Sequence, residues 1–244
     1  MNMSAARHSV DEAAVPARCR TCTSRQHGFC SDLTVGELHR LSPHVSRRRA
    51  DAASQVLSQG LANTSYVHLL DGVVKLTALV RDGTEQIVGL RFAGDFLGQR
   101  FARDVGFTAA AATDVEYCRV SKPALDALAD QSTRIAHRMH RWVATELDET
   151  RGLMLALAQR DARQKVAGLL YRISQRQSPA ALRTTLDLPL SRSEMGNYLG
   201  ITVETVSRQL SRLKREGLIS IERKTLVTIE DMGRLAAAAN ISGQ

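Results

Sequence analysis

Four cysteines are spaced as a metal site would require. Three lie close together as Cys19-x2-Cys22-x7-Cys30, and the fourth, Cys118, follows 88 positions after Cys30. Four thiolates are the donor set of an iron–sulfur cluster, and none is left over. A Cys-x2-Cys pair with two further cysteines is also a zinc pattern. A disulfide framework suits a short secreted domain, not a chain of 244 residues. One inorganic centre shared by all four thiols would respond to redox state or oxygen.

A second chemistry sits near the C-terminus. Residues Ser191 to Leu210 read as a helix–turn–helix. Met195 and Leu199 form the inner face of its first helix, and Gly200 supplies the tight turn. Thr202 caps the second helix, and Glu204 suits the positive end of its dipole. Val206, Leu210 and Leu213 bury that helix, which leaves Glu204, Ser207 and Arg208 outside at i, i+3 and i+4. Arg208 can grip guanine, Glu204 can accept from a cytosine amino group, and Ser207 can contact either neighbour. Thr202 and Thr205 complete the expected DNA-contact set. Ile219 to Ile229, centred on Lys224, reads as a wing, with Arg223 and Lys224 near phosphates.

The rest of the chain must hold these two chemistries. Hydrophobic residues make up 43%, enough for a core, but aromatics only 4%, too few rings for stacking on unpaired bases. No signal-peptide core and no 18-residue apolar stretch is present, so a cytoplasmic location and no membrane span are expected. Residues 1–150 carry 18 basic and 17 acidic side chains, whereas residues 151–244 carry 15 and 8. A nearly neutral part joined to a basic part fits a regulatory module attached to a polyanion binder.

Residues 1–18 read as disordered, and the cysteine loop extends to residue 31. From Ser46 to Val120 short apolar runs alternate with turns. The Asp-Gly pairs at Asp71 and Asp82 are hairpin signals, and the spacing predicts a barrel or jelly roll over 32–128. Val115 to Val120 is its last strand and contains Cys118. Pro123 opens a helical region. A long helix over 129–158 carries Ile135, Met139, Trp142, Val143, Leu147, Leu153, Met154 and Leu157 at spacings of three and four, with Glu146 and Thr150 interrupting the stripe. Together these ten residues predict the seam of a marginal homodimer. Residues 159–244 form the helix-turn-helix unit, so the fold class is α+β.

With these residues in view, the chain resembles the Crp–Fnr family of bacterial transcription regulators. Gly94-Asp95-Phe96-Leu97-Gly98 is similar to the family's β-roll motif, and Gly196 to Arg208 is similar to its recognition segment. The resemblance implies an N-terminal β-roll like that of cyclic-nucleotide-binding domains, a dimerisation helix and a winged helix-turn-helix. The Glu204…Ser207-Arg208 triplet looks like the fumarate–nitrate reductase regulator branch. That branch implies TTGAT-type palindromes, a dimer that recruits or blocks RNA polymerase, and a [4Fe–4S] cluster on Cys19, Cys22, Cys30 and Cys118 that oxygen degrades. The x7 gap departs from the best-known members and is similar to that of nitrogen-fixation-linked ones. Cyclic nucleotide is not expected, because Asp104 to Thr113 lacks the arginine that holds its phosphate. His68 is the one strand histidine that a haem reading could use. Structural zinc or another small-molecule effector in place of the cluster is the alternative. No P-loop or dinucleotide fingerprint points to an enzyme.

Overall fold

The computed structural model describes residues 14–22, 25, 28–81, 83–158, 161–177, 181–223 and 225–241. The chain begins with a one-turn helix α1 (Ala17–Arg20), a 3₁₀ turn (Phe29–Asp32) and helix α2 (Val35–Leu41). Thr34 and Glu37 close α2 with a reciprocal capping box. Strands β1 (Val45–Ala50), β2 (Gln55–Leu57), β3 (Ser65–Asp71), β4 (Val73–Leu79), β5 (Glu85–Phe92), β6 (Phe96–Leu97), β7 (Thr108–Ala111) and β8 (Val115–Ser121) follow. They form two antiparallel four-stranded sheets, in the orders β1-β8-β3-β6 and β2-β7-β4-β5.

The near-continuous apolar run of β3 has a physical reason, for both of its faces are covered. Val67 and Leu69 join the core between the two sheets, with Val74, Leu76 and Tyr117. Tyr66 points the other way, into a core with Phe29, Phe96, Val120 and Leu125. Asp71-Gly72 is therefore not the hairpin that the sequence predicts. β3 and β4 lie in different sheets, and Gly72 turns the chain from one to the other with φ 82°. A Cβ there would stand 2.2 Å from the Asp114 carbonyl oxygen. The turn at Gly83 does close a hairpin, between β4 and β5; Asp82 lies outside the described residues.

After β8 come α3 (Lys122–Gln131) and the 26-residue α4 (Thr133–Ala158). Then follow α5 (Ala162–Gln177), β9 (Thr184–Asp187), α6 (Arg192–Leu199), α7 (Val203–Arg215), β10 (Ile219–Ile221), β11 (Leu226–Ile229) and α8 (Met232–Ala238). β9 pairs with β11, a strand that the sequence reading missed because Asp187-Leu188-Pro189 marks a loop there. The C-terminal core of Val166, Leu170, Met195, Leu199, Val206 and Leu210 runs on into Val73, Ile87 and Leu90 of the second sheet. The two halves thus share apolar burial. Among the described residues no helix is long and apolar enough to cross a membrane.

Of residues 1–18, expected to be disordered, 1–13 lie outside the described residues, whereas 14–18 are held in place. Val15 is buried. Arg18 donates to the Ser42 and Val45 carbonyls at 3.1 and 2.7 Å, and the Ala14 carbonyl meets His39 Nε2 at 2.7 Å. A single well-placed apolar residue and two polar anchors fix a segment that composition alone marks as loose.

Candidate functional site

The four cysteines come from three separate elements. Cys19 lies on α1, Cys22 just beyond it, Cys30 in the 3₁₀ turn and Cys118 in β8. All four are free, and all line one cavity of about 50 Å³, several times the ~10–15 Å³ that admits one water. Phe29, Leu38, Leu41, Phe96 and Val120 form its apolar wall. Cys118 faces this side because β8 alternates. Tyr117 turns to the core between the sheets, while Val120 shares the opposite face with Cys118.

The thiols lie within each other's fields. Burial pushes Cys30 up to about 12, and the neighbouring Cys118, Cys22 and Cys19 add to it. Cys118 is pushed up to about 11 by burial first and then by Cys22 and Cys19. Burial and Cys22 raise Cys19 as well. Left alone, these groups are neutral thiols. A bound metal inverts that preference, because its charge deprotonates a coordinating thiol outright.

Three guanidiniums border the same cavity, and the sequence reading missed them. Arg47 sits directly across from Cys118 in the β1–β8 register, and Glu116 holds it through Nε and Nη2 at 2.7 and 2.8 Å. Arg18 and Arg25 complete the border. Arg25 Nη1 is buried and has no hydrogen-bond partner among the described residues. Four soft sulfur donors, an apolar enclosure and an orphaned cationic donor fit a thiolate-bound anionic cluster. Among the described residues, no three His, Cys, Asp or Glu side chains are placed to hold one metal ion. His68 lines the cavity too, on the strand beside Cys118, and burial lowers it to about 4, so it stays neutral near pH 7.

The helix-turn-helix follows the sequence reading closely. Met195, Leu199, Val206, Leu210 and Leu213 are buried. Gly200 is left-handed at φ 62°, and Thr202 Oγ1 accepts from Thr205 N at 3.3 Å. Ser191 and Glu194 add a capping box at the start of α6. Gly196 is glycine for a steric reason, since a Cβ would stand 2.7 Å from the Ile201 carbonyl oxygen. Glu204 and Arg208 are exposed and Ser207 is half-exposed at the N-terminal end of α7. Arg208 Nη2 donates to Thr205 Oγ1 at 3.0 Å, which steadies the guanidinium. The helix N-terminal backbone and the Thr202 hydroxyl hold the Glu204 carboxyl below its ordinary range, so it is an acceptor near pH 7. A shallow basic groove continues along Ser207, Arg208, Arg212 and Arg215. Of the wing, Lys224 lies outside the described residues.

The ten residues expected on one helix seam are divided by the structure. Ile135 and Met139 are buried in the core beneath the first sheet, and half-buried Trp142 packs against Phe96 at 5.3 Å between ring centroids. Leu153 joins the C-terminal core. Glu146 turns to its own β-roll and accepts from Arg91 Nη2 at 2.6 Å. Val143, Leu147, Thr150, Met154 and Leu157 remain exposed. Their spacings of 4, 3, 4 and 3 are an a/d heptad pattern. Periodicity identified two buried stripes and one exposed stripe as a single one, because spacing does not say which surface a residue meets.

A family model of the Crp-like helix-turn-helix domain matches residues 164–238. A probable transcriptional activator of Rhizobium leguminosarum is 39% identical over 96% of this chain and 98% of its own length. The transcriptional activator protein FnrL of Cereibacter sphaeroides is 34% identical over 91% and 92% of the two chains. Among solved structures, FixK2 from Bradyrhizobium japonicum superposes with a TM-score of 0.73 at 25% identity, covering 82% of this chain and 98% of that one. These relatives are regulators and not enzymes. The chain belongs to the Crp–Fnr family of DNA-binding transcription regulators, in its fumarate–nitrate reductase regulator and FixK branch.

Proposed function

We propose that this protein is a cytoplasmic, oxygen-responsive homodimeric regulator that reads TTGAT-type palindromes and controls anaerobic or microaerobic genes. The observation that carries the reading is the convergence of Cys19, Cys22, Cys30 and Cys118 on one enclosed cavity. These thiolates would hold a [4Fe–4S] cluster, with Arg18, Arg25 and Arg47 offsetting its negative charge. When bound, the cluster supplies a redox-active, oxygen-labile inorganic core. The chain supplies everything else. Residues 1–31 present three thiols, and residues 32–128 present the fourth on β8. Residues 129–158 carry the helix whose Val143, Leu147, Thr150, Met154 and Leu157 pair with a second copy. Residues 159–244 carry the reading head.

Pairing brings two α7 helices about one DNA turn apart, each entering a major groove by its N-terminal end. Arg208 then grips a guanine, Glu204 accepts from a cytosine amino group, and Ser207, Thr202 and Thr205 fix the register. RNA polymerase is the expected partner on promoter DNA. The test is binding to a TTGAT palindrome and to a scrambled duplex, without air and after oxygen titration. Tight binding of the palindrome that falls as oxygen is added supports the reading. Binding that is indifferent to oxygen, or to sequence, refutes it.

A further inference from the structure

Cys30 sits in a turn that is fastened to the long helix on two sides. Its 3₁₀ turn, Phe29–Asp32, lies against the first half of α4. On the polar side, Arg141 Nη2 donates to Asp32 Oδ2 at 2.7 Å, and Arg138 Nη1 approaches the same oxygen at 3.4 Å. Arg138 Nη2 also donates to the Gly28 carbonyl at 3.0 Å. On the apolar side, the Phe29 ring stacks on Phe96 at 4.4 Å, and Phe96 meets Trp142 of α4 edge-on. One thiol is thus fastened on both flanks to consecutive turns of one helix. One residue beyond Trp142 begins the exposed stripe at Val143.

We infer that Asp32 and Phe29, through Arg138, Arg141 and Trp142, are the positioning residues that convey the state of the thiol cavity to the pairing face of α4. This rests on the function proposed above and names the route within it. A turn whose cysteine is a ligand is held at one place, and a turn whose cysteine is released is free to relax. Asp32 takes two arginines on one carboxylate, so any displacement of the turn shifts both pulls on the helix together. The polar half is the cleaner one to test. Asp32 is one-third exposed and Arg141 more so, and ion pairs of that kind add little to stability. Removing them should spare the fold and the cavity while severing the message.

The experiment compares the full-length protein with Asp32→Asn and Arg141→Gln, all purified without air. Iron and sulfide are assayed, and the dimer dissociation constant is measured by sedimentation before and after exposure to air. In the unaltered protein the constant should rise at least about fivefold in air, the lower end of ordinary allosteric coupling. Both variants should hold the same iron and sulfide, yet their constants should change less than about twofold in air. Variants that keep their iron and still show the full rise overturn the inference. Variants that lose their iron also overturn it, because the contacts would then build the cavity instead of reporting on it. Absence of iron from the unaltered protein defeats the proposed function itself, and the inference with it.

Discussion

The thiol cavity and the recognition face solve opposite physical problems. The cavity holds four half-buried thiols, and its cost is visible in Cys30 and Cys118, driven up by burial and by the neighbouring thiols. Only a partner inside it can relieve that cost. The recognition face leaves Glu204 and Arg208 in solvent, so its partner replaces water contacts one by one. A cavity of this kind works all or nothing, whereas an exposed face works by increments. Sensing that must switch belongs in the first, and reading that must discriminate among sites belongs in the second.

That contrast orders the expected effects. The largest is Cys118→Ser, which leaves three thiols where four are needed. Iron should be lost and palindrome binding without air abolished, with α5 to α8 still folded by circular dichroism; retained iron would show that the cavity is not all or nothing. Next is Thr150→Leu, which fills the one polar position of the exposed heptad stripe. Tighter self-association by sedimentation, with weakened oxygen control, is expected, and an unchanged constant would remove Thr150 from the seam. Glu146→Leu should do no such thing, because Glu146 faces Arg91 within its own chain.

Arg208→Ala should cost about 1–3 kcal/mol and relax preference at one base pair. Equal loss on all sequences would instead make Arg208 a phosphate contact. The smallest effect concerns Glu194, which Lys75 of β4 pairs from the other half of the molecule. Burial alone would raise this carboxyl, but Lys75 and the Ser191 cap outweigh it and lower it. A lowered folded value means stability that is complete above the ordinary glutamate range, about 4.3, and lost as pH falls through the folded value. The stability difference between the protein and Lys75→Met should therefore shrink on acidification; a difference that persists below that window would assign Lys75 a packing role.

How much was legible in the sequence follows from chain separation. The helix-turn-helix is one contiguous segment whose caps, turn glycine and buried face are set by neighbours three or four residues away, so the reading from Ser191 to Leu210 survives almost intact. The cysteines announce their chemistry by type, but not the arginines around them. Arg47 meets Cys118 only because β1 and β8 pair, 71 residues apart. Asp32 and Arg141 lie 109 positions apart, and no periodicity links them. Gly72 was misread because Asp-Gly signals a turn without saying which sheet the next strand joins. Helix α4 was misread for a related reason. Its apolar spacing is real, but Ile135, Val143 and Leu153 serve three different surfaces.

The most direct test is to purify the full-length protein under nitrogen, assay iron and acid-labile sulfide, and record its visible spectrum. About four iron and four sulfide per chain, with a broad brown absorbance that bleaches in air, is the predicted result. A colourless protein carrying zinc or no metal would contradict it and would leave these four converging cysteines without the role assigned to them.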